Sequence, residues 1–300
     1  MIKKLCICLG VIVLLYGCQP WTSVPVPAYV QISNYTVKVP TDGSQGTANQ
    51  NFTDMEVIAN GTNYGIWPLG SKIPVIGSGS LNFTIKAVVE INGVSALRST
   101  YEVMKGSDTI IAVTQGQVTN IVPEFQYFNG AVFPLVLNFN GSGYNTNGVQ
   151  MVDSPCLTCD TDKTITIHYP GFSGASTDGC LAFKPVLNSG NGLSSVQTSA
   201  AIGLPKGGVG IYLEFNYMCN IPISIAIQGD NVATGSGLTA VTSCGGVYPT
   251  PTWQKAYIQL TEQVSTLQSG YYYIYFSCLY DDLVVSNFAY IDNVKIVVAQ

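Results

Sequence analysis

Ala289-Tyr290-Ile291-Asp292-Asn293-Val294-Lys295-Ile296 stands near the end of the 300-residue chain, inside an apolar run over 288–298. Its composition is that of a strand. Working back, strand candidates recur at 270–279, 256–260, 223–228, 209–218, 180–185, 164–169 and 133–139. Clusters of glycine, asparagine and serine separate them, at 140–148, 188–195 and 235–237, and such clusters are turn and loop chemistry. The one helical candidate, 261–267, is too short and too polar to shape the architecture. Eight strands joined by loops of this length predict a jelly-roll β-sandwich over residues 131–300.

Within that series Gly270-Tyr271-Tyr272-Tyr273-Ile274-Tyr275-Phe276 is unusual. Strand alternation sends Tyr271, Tyr273 and Tyr275 to one face and Tyr272, Ile274 and Phe276 to the other. The second set predicts core. The first forms a ladder able to stack sugar rings or to pack on a protein through amphipathic rings, unless a loop or the leading domain covers it. Trp253 joins the three tyrosines as a candidate ligand contact, with a core plug as the competing reading.

The leading half carries the same strand grammar. Residues 29–39 alternate, 42–51 form a polar loop, and 55–59 runs into Asn60-Gly61, a strong short hairpin signal. Leu81-Asn82-Phe83-Thr84-Ile85-Lys86-Ala87-Val88 alternates cleanly, Asn92-Gly93 marks another turn, and 98–104 and 109–114 continue the strands. About seven short strands without a helix predict a small sandwich of the immunoglobulin or fibronectin-III (Ig/FN3) kind over residues 28–128. The chain is thus read as all-β, with two sandwiches in series.

Ahead of both lie Lys3 and Lys4, an apolar core over 5–16, then Gly17-Cys18. This reads as a signal peptide over residues 1–17, its core shorter than the roughly 20 apolar residues a membrane span needs. Residues 18–27, with three prolines, read as an extended tether. Cleavage would leave 10 basic against 17 acidic residues, a net charge of −7. Without a basic stripe, such a chain is not read as a nucleic-acid binder. Charged residues make up only 10% of the sequence, which fits a Ser, Thr, Asn and Tyr surface. Beyond Cys18 the remaining cysteines, Cys156, Cys159, Cys180, Cys219, Cys244 and Cys278, all follow residue 150. Their even number in an oxidising compartment predicts disulfides, with the pairing left open.

Catalytic patterns are sparse. His168 is the only histidine, and no Gly-x-Ser-x-Gly elbow precedes a helix. Asp281-Asp282 and the pair Asp160 and Asp162 lie in turn-like contexts that solvate charge. The reading is therefore non-enzymatic.

Three motifs carry a family resemblance. Ile211-Tyr212-Leu213-Glu214-Phe215-Asn216-Tyr217, Trp253-Gln254-Lys255-Ala256-Tyr257-Ile258-Gln259-Leu260-Thr261 and the closing Ala289-Tyr290-Ile291-Asp292-Asn293-Val294-Lys295-Ile296 resemble successive strands of galactose-binding-like jelly rolls, the fold of many carbohydrate-binding modules. Leu14-Leu15-Tyr16-Gly17-Cys18 resembles the bacterial lipobox, which implies that Cys18 becomes the acylated first residue of the mature chain. Asn60-Gly61, Gly65, Pro68-Leu69 and Gly79-Ser80 resemble the small β modules of exported proteins and imply a spacer or adhesion-like module. Together these resemble uncharacterised Bacteroidota-type lipoproteins. The resemblance implies a lipid-anchored envelope protein, on the outer membrane, with a non-catalytic jelly roll that binds glycan. The alternative is a structural or assembly component that packs on another envelope protein. It also implies a structural calcium at Asp292, although an acidic partner near the start of that domain is missing or displaced.

Overall fold

The computed structural model describes residues 25–140, 148–153, 166–187 and 192–299. The leader, Cys18, Cys156 and Cys159 lie outside the described residues. The leading strands are β1 (Ala28–Gln31), β2 (Thr36–Lys38), β3 (Asp54–Ala59), β4 (Thr62–Pro68) and β5 (Lys72–Val75). They are followed by β6 (Gly79–Glu90), β7 (Arg98–Thr100), β8 (Ser107–Val113), β9 (Val118–Asn120) and β10 (Glu124–Gln126). Asn60 and Gly61 take φ of 45° and 79° between β3 and β4, the left-handed geometry that a tight hairpin requires. The expected single strand over 29–39 is instead two. β1 pairs with β5 and β9, whereas β2 pairs with β10 in a separate two-stranded sheet. A five-stranded sheet, β4-β3-β6-β7 with β8 on β6, faces them across a buried cluster that includes Phe52, Met55, Phe83 and Phe125.

The second set opens with β11 (Val132–Leu137), β12 (Met151–Asp153), β13 (Thr166–His168), β14 (Cys180–Phe183), β15 (Leu193–Thr198) and β16 (Ile202–Gly203). β17 (Ile211–Cys219), β18 (Ile223–Asp230), β19 (Leu238–Val247) and β20 (Thr250–Gln259) come next. α1 (Thr261–Leu267), β21 (Tyr271–Leu279) and β22 (Ala289–Val298) complete it. Two six-stranded sheets result. One is β13-β14-β22-β17-β20 with β11 on β22, and the other is β12-β15-β21-β18-β19 with β16 on β21. Their pairings are antiparallel, and their facing side chains form one apolar core, with Phe215 and Phe276 meeting edge to face at 5.1 Å. The molecule is all-β, with sandwich-like sheets. Among the described residues no helix is long and apolar enough to cross a membrane.

β15 corrects the loop expected at 188–195. Its Ser194 and Ser195 are buried because the strand lies beside β21, where its backbone is paired from Leu193 to Gln197. The polar side chains hid a strand that backbone pairing holds.

Candidate functional site

The two outward faces of the second set of sheets differ in kind. On the β22-β17-β20 sheet, alternation points Glu214 away from the apolar core, and the leading sheets close over it. Its carboxylate is wholly buried and accepts hydrogen bonds from the Tyr101 hydroxyl at 2.5 Å, the Tyr127 hydroxyl at 2.7 Å and Gln50 Nε2 at 3.0 Å. Lys255 Nζ lies 3.0 Å and Lys295 Nζ 3.5 Å from Oε2. Burial pushes the Glu214 carboxyl up, but Lys295 and Lys255, joined by the two tyrosine hydroxyls, outweigh it and leave the group at about 2. Burial pulls Lys295 down to about 8 against the pull of Glu214.

The loop between β2 and β3 fastens this face. Lys295 Nζ donates to the carbonyls of Gln45 at 3.1 Å and Thr47 at 3.3 Å and sits 4.9 Å above the Tyr127 ring. The Tyr257 hydroxyl donates to Gln50 Oε1 at 2.7 Å and accepts from the Asn51 backbone N–H at 3.0 Å. The Asn92-Gly93 turn adds a further join, with Asn92 N–H donating to the Tyr257 carbonyl at 2.8 Å. None of these residues was singled out as a site from sequence. The signal was one Glu and two Lys set singly within apolar strands, a pattern that buried charges adopt when they have partners elsewhere.

The β15-β21-β18 sheet presents the tyrosines. Tyr272, Ile274 and Phe276 are core, as alternation requires. Of the ladder, Tyr271 is 41% exposed and Tyr273 half-buried, while Tyr275 is only 9% exposed. The Tyr275 hydroxyl donates to Gln228 Oε1 at 2.5 Å, and Gln228 Nε2 donates to the Thr239 carbonyl at 2.8 Å. Tyr275 is thus a support, and Tyr271 and Tyr273 form the open part. Gly203, opposite Tyr271 on β16, leaves the edge of that ring uncovered. Beside Tyr273 stands the 231–237 loop, pinned by Asp230, whose oxygens accept backbone N–H bonds from Val232 at 3.1 Å and Gly235 at 2.6 Å.

Trp253 does not join the tyrosines. It lies on β20, in the other sheet, half-buried and edge to face with Phe172 at 5.8 Å. Asp292 is buried, and its oxygens accept backbone N–H bonds from Phe172 at 3.0 Å and Asn293 at 2.6 Å. Among the described residues no three His, Cys, Asp or Glu side chains gather to hold a metal ion. His168 stacks flat on Tyr290 at 4.5 Å. The expected disulfides are not formed at Cys180, Cys219, Cys244 and Cys278, which are free and buried. Burial pushes Cys180 and Cys244 to about 12 and Cys219 to about 11, so they remain unreactive thiols.

Two buried carboxylates oppose each other in pH dependence. Burial, assisted by Asp178, raises Asp292 from 3.8 to about 6 against its backbone donors. Its contribution to stability is complete below the unfolded value and is lost as pH rises through about 6. Glu214, lowered from 4.5 to about 2, contributes above its unfolded value and loses that contribution as pH falls toward 2. Urea midpoints are expected to peak at roughly pH 4 and to fall on both sides. Asp292→Asn should flatten the fall toward neutral pH. A wild-type midpoint that climbs steadily from acid to neutral would contradict these assignments.

No protein-family model matches the chain, and no curated protein matches it significantly. Solved structures give a distant, partial-coverage resemblance to carbohydrate-binding-module folds. A family 29 carbohydrate-binding module complexed with mannohexaose is 14% identical, covering 56% of this chain and 92% of its own, at a TM-score of 0.34. The cleaved adhesin domain of Lys-gingipain from Porphyromonas gingivalis is 16% identical, covering 56% and 99%, at 0.36. The enzymatically active domain of a tailspike protein from bacteriophage CBA120 is 12% identical at 0.36, and the match spans 50% of this chain and 19% of the tailspike.

Proposed function

We propose that the chain is an exported, non-catalytic binding protein that holds glycan on the outward face of its tyrosine sheet. It is acylated on Cys18 and anchored to the outer membrane, with a sandwich over residues 28–128 and a jelly roll over 131–300. The observation that carries the reading is the outward pair of Tyr271, exposed, and Tyr273, half-buried, on a sheet whose opposite partner sheet is roofed by the leading strands. Aromatic rings in such a position offer flat apolar area at low entropic cost. A glycan array probed with the full chain in mild detergent tests it. Binding that falls about tenfold or more in Tyr273→Ala supports the reading, and an array without a positive glycan overturns it. Mass spectrometry of the N-terminal peptide should find Cys18 acylated.

A protein partner in the envelope is the second reading. It is favoured by Leu283 and Val285, each 89% exposed on the 281–286 loop. Crosslinking in native membranes should capture one partner through that loop, and Leu283→Ser with Val285→Ser should abolish the capture.

A further inference from the structure

We infer that the ligand of the tyrosine face is an uncharged polysaccharide, stacked on Tyr271 and Tyr273 and touched at its hydroxyls by the 231–237 loop; this rests on the glycan reading above. Charge placement carries the argument. Among the described residues the six strands of this sheet carry no lysine or arginine and two acidic residues, Asp153 at the end of β12 and, beside the tyrosines, Asp230. That carboxylate is buried and occupied by the backbone N–H groups of its own loop. The other sheet, by contrast, holds Glu214, Lys255, Asp292 and Lys295, all buried.

A glycan bearing carboxylates or sulfates would therefore meet no cation on the described strands of this sheet, and Lys206, exposed on the loop after β16, is the cation closest in sequence to Gly203. Removing such anions from water without a partner is costly, and the acidic chain as a whole repels them. An uncharged sugar ring has no such penalty. Its C–H face lies on a tyrosine ring, and its hydroxyls reach polar groups that are themselves uncharged. The 231–237 loop supplies these through Thr234 and Ser236, exposed hydroxyls 2.9 Å apart. The loop keeps its shape because Asn231 N–H also donates to the Gly237 carbonyl at 3.1 Å and Asn231 Oδ1 accepts from Ser269 Oγ at 3.1 Å. The ideal Cβ position of Gly235 lies 3.7 Å from the Tyr273 hydroxyl, so the loop forms a wall at that ring.

Gly203 provides an independent handle on the opposite side. A Cβ there would lie 3.8 Å from the Tyr271 ring, in ordinary contact, and the residue does not need a positive φ. Gly203→Leu should leave the fold intact while covering the edge of the ring.

The test is affinity electrophoresis of the full chain in mild detergent through gels holding galactomannan, xyloglucan, alginate or polygalacturonate, at about 0.01 M and about 1 M salt. Retardation by an uncharged polymer, unchanged by salt, and reduced about tenfold or more in both Tyr273→Ala and Gly203→Leu is the expected result. Retardation by alginate or polygalacturonate that fades with salt would overturn the inference while leaving glycan binding in place. Retardation by none of the four overturns the inference, and a blank glycan array would separately overturn the glycan reading. Retardation that survives in both variants, with urea midpoints unchanged, would move the ligand off this face and so overturn the inference.

Discussion

Replacing Glu214 by Gln is expected to cost the folded chain about 3–5 kcal/mol, the penalty for leaving buried charges uncompensated. Glutamine has the shape to keep a hydrogen bond from Tyr101 or Tyr127, so the loss is not one of volume. It comes from Lys255 and Lys295, both buried and both paired with this one carboxylate. Trp67, on β4, and Trp253, on β20, report on the two sets of sheets separately by fluorescence, once each is isolated by a Trp→Phe change at the other and at Trp21. Urea unfolding of Glu214→Gln should separate the two transitions or lower both, because the cluster joins residues of both sets. Adding Lys295→Met should recover part of the loss by removing one unpaired ammonium. A Glu214→Gln midpoint equal to wild type would show that the ion cluster does not hold the two sets together.

Phe215→Ala should be comparably damaging, about 3–5 kcal/mol, for an unrelated reason. Phe215 follows Glu214 but points into the apolar core, edge to face with Phe276 at 5.1 Å and tilted against Tyr217 at 5.9 Å. Truncation leaves a cavity between two sheets that antiparallel pairing keeps from collapsing onto it. Phe215→Leu should restore most of the stability. The two variants are distinguished by pH. The Phe215→Ala deficit should be constant across the acid range, whereas the Glu214→Gln deficit should shrink below about pH 4, where the wild-type carboxyl loses its own contribution. Equal pH profiles for the two would contradict the division of β17 into an ionic face and an apolar face.

The strands that carry regular apolar patterns were legible from residue order. β6, β17, β21 and β22 fall where alternation or apolar runs put them, and the Asn60-Gly61 hairpin has the geometry its residues demand. β15 and β19 were not legible. Leu193-Ser194-Ser195-Val196-Gln197-Thr198 and the Thr, Ser and Gly of β19 have loop composition, and they become strands because β21 and β18 offer them backbone partners. Such pairing is a property of the neighbours, so a local reading of the residues misses it.

The site divides in the same way. Residue order alone separated Tyr271, Tyr273 and Tyr275 from Tyr272, Ile274 and Phe276, because a strand has a period of two whatever surrounds it. Only the tertiary structure decided which of the two outward faces stays open. Glu214, Lys255 and Lys295 draw the loop between β2 and β3 across their sheet, since buried charges must find partners, and that leaves the tyrosine sheet facing outward. Tyr275 then drops out of the ladder through its bond to Gln228, a contact between strands distant in sequence that alternation cannot foresee.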